Sequence, residues 1–389
     1  MKVEFSSLCL NGRSVDLTVA DGVIASITPL PGDARAVILP LPVEPHVHLD
    51  KTHTAHRCRA KSPGLFGAID AMVQDKGAWT ADDLRARMTR GMADAYANGV
   101  AALRSHCDWS APGVPLAWHV MGEVAQGWRG RMPLQRASLS GIDLLGDPGH
   151  GPAIAARVAA DGGVLGCFIY RHADIPERLE RVFRLAESHG LRLDFHVDEG
   201  LEPEANAFDD IVRLTAEFGM GGRVLCGHAC SLSIRPDVQV ARVMDAAARA
   251  GVALTVMPTT NLHLQDMAPG RTPRLRGLAP MQELRAAGVQ VLLGTDNVRD
   301  PFYPYGSYDP LEVLRLATLT AHLTPGDWLD AITTAPARAM GLAEPVIAVG
   351  AAADFITIDG ADWAEALSSP RAIRQVYRAG IPMTGGAAI

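Results

Sequence analysis

Lysine is scarce in this chain: four stand at positions 2, 51, 61 and 76 of 389 residues. No basic run forms, and with a formal net charge of -7 the sequence lacks the electrostatic footprint of a nucleic-acid binder or of a polybasic membrane anchor. It also has no uninterrupted apolar stretch of the ~18 residues that a membrane span needs. The opening Met1-Lys2-Val3-Glu4-Phe5 carries no basic region followed by a long apolar one, so a cytoplasmic protein is expected. Six cysteines, at 9, 58, 107, 167, 226 and 230, include no Cys-x-x-Cys pair, which excludes a zinc knuckle and leaves a disulfide framework without support. They read as small buried apolar residues. No low-complexity tract or self-similar repeat is present. What remains is small-molecule chemistry, with no nucleic-acid or membrane partner and a homo-oligomer left open.

Hydrophobic residues make up 48% of the chain, enough to bury one large core with a smaller appendage. Residues 1 to about 40 hold short alternating runs, Val15–Val19 and Val23–Ile27, joined by the turn signal Asp21-Gly22. Ala353–Ile358 and Ile373–Tyr377 alternate in the same way and are expected to pair with them. One small β domain, residues 1–40 plus 343–389, follows. Between them, over 41–342, apolar strands alternate with amphipathic helices, the pattern of a parallel α/β architecture. Eight strand cores are expected at 38–45, 100–107, 132–139, 163–170, 192–198, 223–228, 252–257 and 289–295, with helices including 80–97, 176–189 and 236–250. Eight such strands specify a closed barrel, which gathers its chemistry at the carboxyl ends of the strands.

Those ends carry metal-competent residues. In Pro45-His46-Val47-His48-Leu49-Asp50 the alternation of a strand turns His46 and His48 to one side. A pair of histidines in a chain of 13 carries little by itself. Three further apolar runs end alike: Asp194-Phe195-His196-Val197-Asp198-Glu199, Leu225-Cys226-Gly227-His228 and Leu293-Gly294-Thr295-Asp296-Asn297. His46, His48, His196 and Asp296 form a ligand set suited to one zinc or iron(II) ion with a position left for water. Such an ion lowers the pKa of its water to ~7, making hydroxide available at neutral pH. Glu199, three residues past His196, is the expected general acid/base, its pKa raised in a partly dry barrel mouth. His228 is expected to hold the attacking water or polarise a developing oxyanion, with a further metal ligand as the alternative. Barrels that hold two ions bridge them through a lysine on the fourth strand, and all four lysines here precede that strand. A single ion is expected.

These motifs, together with Asn261-Leu262-His263-Leu264-Gln265 and Asp296-Asn297 followed by Asp300-Pro301-Phe302-Tyr303-Pro304, resemble the cytosine deaminase-like members of the amidohydrolase superfamily. The resemblance runs in order through nearly the whole central region. It implies a (β/α)8 TIM-like barrel flanked by a small β-sandwich, one divalent ion, and hydrolytic release of ammonia from a nitrogen heterocycle, the hydroxide on the metal attacking the ring carbon. It makes His46, His48, His196 and Asp296 the ligands. Glu199 would shuttle a proton to the ring nitrogen, His228 would orient the nucleophile, and Asp296 would relay a proton toward the leaving amine.

Two departures bear on the substrate. The family's second aspartate after the metal-binding one is Asn297 here, and its glutamine after the third strand is Ser140. The amide adds a donor to an acceptor-only position, and losing the long glutamine removes a two-point hydrogen bond. Both argue for a ring other than cytosine: an isomeric, oxidised or methylated pyrimidine. Phe302 stands where the family has a tryptophan near the ring face, and Leu65 resembles its apolar lid contact. Lys51 and His53 are placed to touch a charged or carbonyl-rich substituent. Alternatives are an N-alkylammelide-type s-triazine amidohydrolase releasing an alkylamine and, with every expected ligand present, far less strongly, a non-catalytic binding or assembly barrel.

Overall fold

The computed structural model describes residues 2–369 and 372–383. Of the expected small domain, Met1, 370–371 and 384–389 lie outside this range. In chain order come β1 (Lys2–Leu10), β2 (Arg13–Ala20), β3 (Val23–Pro29) and β4 (Ala36–Pro40), then β5 (Val43–Val47), β6 (Ala102–Asp108), β7 (Leu134–Gly141), β8 (Leu165–Ile169), β9 (Leu193–Val197), β10 (Val224–His228), β11 (Ala253–Val256) and β12 (Gln290–Leu293), and last β13 (Phe355–Asp359), β14 (Arg374–Arg378) and β15 (Ile381–Pro382).

The first four strands and the last three form one mixed sheet in the order β15-β14-β13-β4-β1-β2-β3. The small β unit, expected as a sandwich, is thus hydrogen-bonded as a single sheet. Its two N-terminal turns, Asn11-Gly12 and Asp21-Gly22, hold positive φ at both residues, the conformation that a tight hairpin between right-twisted strands demands. Alternate residues Val15, Leu17 and Val19 of β2 are buried and pack with Leu8, Ile24, Ile38, Ala353 and Phe355. The period-two pattern of the sequence is the inner face of this sheet.

The other eight strands lie side by side in sequence order from β5 to β12, and from β6 onward each strand pairs with the next in parallel. A parallel bridge between Val47 and Asp296, with the Asp296 N–H donating to the His46 carbonyl at 2.9 Å, joins the two edges into a ring. Helices follow the strands, among them Gly64–Lys76 and Ala81–Ala97 after β5, Ile175–His189 after β8, Ala207–Glu217 after β9 and Asp237–Ala250 after β10. This is a TIM-like (β/α)8 barrel. The chain divides into two compact units: residues up to Glu44 with Ala93–Ala102 and the stretch from Tyr308 onward, and Pro45–Met92 with Leu103–Ser307.

The first barrel strand differs from expectation. The apolar run read as one strand over 38–45 is broken at Leu41-Pro42, with Ala36–Pro40 in the mixed sheet and Val43–Val47 in the barrel. Prolines at 40 and 42 remove two ladder donors in succession, which ends one sheet and starts the next.

Candidate active site

His46 stands on β5 and His48 one residue past its end, and both are buried. His48 Nε2 lies 3.2 Å from Asp296 Oδ1, His46 Nε2 lies 3.6 Å from the same oxygen, and His196 Nε2 lies 3.2 Å from His48 Nε2. Three imidazoles and a carboxylate, all buried, therefore point atoms at one spot. Nitrogen lone pairs and an anionic oxygen crowded this closely repel one another unless a proton or a cation sits among them, and the donor set is that of a divalent metal. Burial lowers the pKa of His46, His48 and His196 well below the usual histidine value. A neutral ring is the form that binds a metal. The residues present fit one divalent ion.

Backbone strain helps to place these groups. Asp198, His228 and Asp296, each at or just past a strand end, adopt left-handed φ of 51°, 72° and 60°, an uncommon conformation for non-glycine residues that clusters at functional sites. The residue before His228 is glycine for a steric reason: a Cβ on Gly227 would stand 3.0 Å from His46 Cε1 and 3.1 Å from Met257 Cε.

A cavity of about 210 Å³ opens over this cluster, and His48, His196, Glu199, His228, Asp296, Asn297, Lys51, Leu65 and Phe302 all line it. Burial, reinforced by the Asp296 charge, raises the Glu199 pKa well above the ordinary carboxylate value. His228 has its pKa lowered to about 4, chiefly by burial, and is neutral at physiological pH. Its Nδ1 lies 3.0 Å from Asn261 Nδ2 and 3.5 Å from Glu199 Oε1. With the Asn261 amide donating to Nδ1, the proton of the ring sits on Nε2.

Two expected contacts fall elsewhere. Ser140 is buried on β7 but off the cavity wall, which takes its neighbours Leu139 and Gly141 instead. The strand expected over 132–139 runs over 134–141, so Ser140 is a strand residue, and alternation turns it to the face opposite Leu139 and Gly141. His53 is buried but is likewise absent from the wall.

The site also holds residues outside the expected set. His106 on β6 joins His46, His48 and His196, with ring nitrogens of all four within 4.8 Å of one another. Its Nε2 lies 3.2 Å from Asp194 Oδ1, and Asp194 in turn pairs with Arg104 at 2.7 Å. The signal was present in Arg104-Ser105-His106-Cys107-Asp108, a strand that ends in polar residues like the others. Asp108 accepts Lys51 Nζ at 2.8 Å and Lys76 Nζ at 2.6 Å.

The profile of the amidohydrolase family matches residues 68–383. The chain belongs to that family. A pterin deaminase of Rhizobium rhizogenes is 38% identical over 380 residues, covering 94% of this chain and 86% of that protein. Among solved structures, 5-methylcytosine deaminase from Klebsiella pneumoniae liganded with phosphonocytosine superposes with a TM-score of 0.86 at 25% identity, covering 100% of this chain and 99% of that one. N-isopropylammelide isopropylaminohydrolase from Burkholderia multivorans follows with a TM-score of 0.80 at 25% identity, covering 98% of each chain. The protein is an amidohydrolase-type deaminase. Among its described residues no helix is long and apolar enough to cross a membrane.

Proposed function

We propose that this amidohydrolase deaminates a pterin-like ring, exchanging the amino group on the carbon between two ring nitrogens for oxygen and releasing ammonia. The observation that carries the choice of ring is the 38% identity to a pterin deaminase across 94% of the chain, against 25% for the cytosine- and ammelide-type structures. The pyrimidine half of a pterin is an isomer of cytosine, so this reading lies within the class that Asn297 pointed to.

In this reading residues 41–342 form the catalytic barrel, and His46, His48, His196 and Asp296 hold one zinc or iron(II) ion. When bound, the ion supplies an acidified water as nucleophile. Glu199, its carboxyl raised well above the ordinary carboxylate range by burial, passes a proton to the ring nitrogen beside the reacting carbon. That makes the carbon more electrophilic. His228 directs its Nε2–H toward the attacking oxygen and orients it against the ring carbon, and Asn261 holds it in that tautomer. Asp296, with Oδ1 facing the histidines, carries a proton through Oδ2 to the departing amine. Leu65 and Phe302 flank the ring with apolar surface.

Ammonia release from pterin, cytosine, 5-methylcytosine and isocytosine, run beside amine release from N-isopropylammelide, tests this reading with metal-loaded protein. Pterin is expected to give the highest kcat/KM. Cytosine or 5-methylcytosine turned over as well as pterin, or alkylamine released faster than ammonia, would overturn it.

A further inference from the structure

Asn297 lines the cavity, and its amide nitrogen donates to Asp300 Oδ2 at 2.7 Å. The direction of that bond follows from the rest of the contacts. Asp300 is fully buried, and its Oδ1 accepts the backbone N–H groups of Phe302 at 2.9 Å and Tyr303 at 3.1 Å. Above about pH 7, where this buried carboxyl is ionised, it is an acceptor at both oxygens, so the end of the Asn297 amide that faces Asp300 is its nitrogen. The polar atom left for the cavity is the carbonyl oxygen. The donor that an amide adds at this position is taken up inside the protein, and the substrate meets an acceptor.

Lys51 supplies the opposite polarity. Its side chain is buried, lines the same cavity and stands 5.2 Å from the centroid of the Phe302 ring. One N–H is given to Asp108 at 2.8 Å, and an ammonium has three. Although burial alone would lower its pKa, Asp108 and Asp50 hold it above the ordinary lysine value, so it remains a donor at any working pH.

We infer that Asn297 and Lys51 are a paired acceptor and donor that read a lactam edge, an N–H next to a carbonyl, on the substrate ring, and that Asp300 is the positioning residue that turns the Asn297 carbonyl toward it. The inference rests on the deaminase reading above and specifies which edge of the ring is recognised. Rings with a carbonyl beside a ring N–H fit. Rings methylated on that nitrogen present no donor and put a methyl group against the carbonyl.

The test is a double swap. In Asp300→Asn the new amide keeps its oxygen on the Phe302 and Tyr303 N–H groups and presents its nitrogen to residue 297. Asn297 must then turn round and offer its own nitrogen to the cavity. In Asn297→Asp/Asp300→Asn the carboxylate accepts from the amide at 300 and offers its second oxygen to the cavity, which restores the acceptor. Each protein is assayed at about pH 8.5, where a carboxyl pushed up to about 7 by burial is ionised. The substrates are the ring that the ammonia panel ranks first and its derivative methylated on the lactam nitrogen.

The expected result for the unmodified enzyme is a preference for the parent ring of at least roughly 100-fold in kcat/KM. Asp300→Asn should lower turnover of the parent ring by roughly 10- to 100-fold, and the double swap should return most of that loss, with metal content equal in all three. Equal turnover of the methylated ring by the unmodified enzyme overturns the inference without needing any variant to fold. So does a double swap no better than Asp300→Asn, or a best substrate that has no N–H beside a carbonyl. A failure of the pterin reading shows instead as a different ranking in the panel.

Discussion

The wall of the cavity built from strand ends and the wall built from the helix Gly64–Lys76 differ in composition, burial and backbone. His48, His196, Glu199, His228, Asp296 and Asn297 on the first are all buried, and two of them leave their strands through left-handed backbone. The second wall contributes Leu65, Ile69, Met72, Val73 and Lys76. It is largely apolar, and its outer edge opens to solvent, with Val73 61% exposed. The metal-competent groups, whose atoms stand 3.2–3.6 Å apart, are carried by the barrel itself. The shape of the pocket is left to a helix that packs on Cys58, Tyr170, Leu264 and Phe302. The difference assigns chemistry to one wall and fit to the other, so substitutions on the two should break different kinetic constants.

Glu199→Gln gives the largest effect expected. The amide keeps the shape of the carboxyl but cannot transfer its proton, so kcat should fall by ~10²–10⁴-fold while metal content and thermal unfolding stay as they were. Near-normal kcat would move the proton transfer to another group. On the helical wall, Met72→Ala enlarges the pocket without touching a reacting atom. KM should rise by roughly three- to tenfold with kcat almost unchanged, the range that small changes of apolar fit produce. A fall in kcat without a change in KM would erase the division between the two walls.

The smallest effect concerns stability against pH. Burial pushes Asp300 up to about 7 from an ordinary value of 3.8, so the folded protein keeps this proton over a range in which the unfolded chain has lost it. Its contribution to stability is therefore greatest below about pH 4 and is lost as pH rises toward 7. Asp300→Asn removes the titrating group, and its Tm measured from pH 4.5 to 7.5, on the order of that window, should fall less steeply than that of the unmodified protein. Parallel slopes would show that Asp300 does not titrate there.

Much of the strand-end wall could be read from the chain, because a strand of period two that ends in a polar residue advertises both its face and its end. His46 and His48 share a side for that reason, and His196 on β9 and Asp296 three residues past the end of β12 follow the same pattern. His106 obeys the same rule yet stands outside the expected set, because the polar end of its strand is Asp108, two residues further on. The Leu41-Pro42 break was hidden inside an apolar run that serves two sheets. Ser140 shows how narrow the margin is: moving the end of one strand by two residues turned a loop position into a buried strand position facing away from the cavity. The helical wall was hardly legible, apart from Leu65 and the apolar character of its neighbours. Its contribution depends on where the helix packs, which no local pattern states. The direction of the Asn297 amide lay further out of reach, being set by Asp300, whose own hydrogen bonds come from the fold of the loop that follows.

Catalysis by one ion serving one buried carboxyl is tested most directly by a metal titration. Protein stripped with a chelator and dialysed is titrated with zinc or with iron(II) while turnover of pterin is followed. Activity is expected to be absent at the start, to rise linearly and to reach its plateau at one equivalent per chain. A plateau that requires two equivalents, or full turnover in the stripped protein, would contradict it.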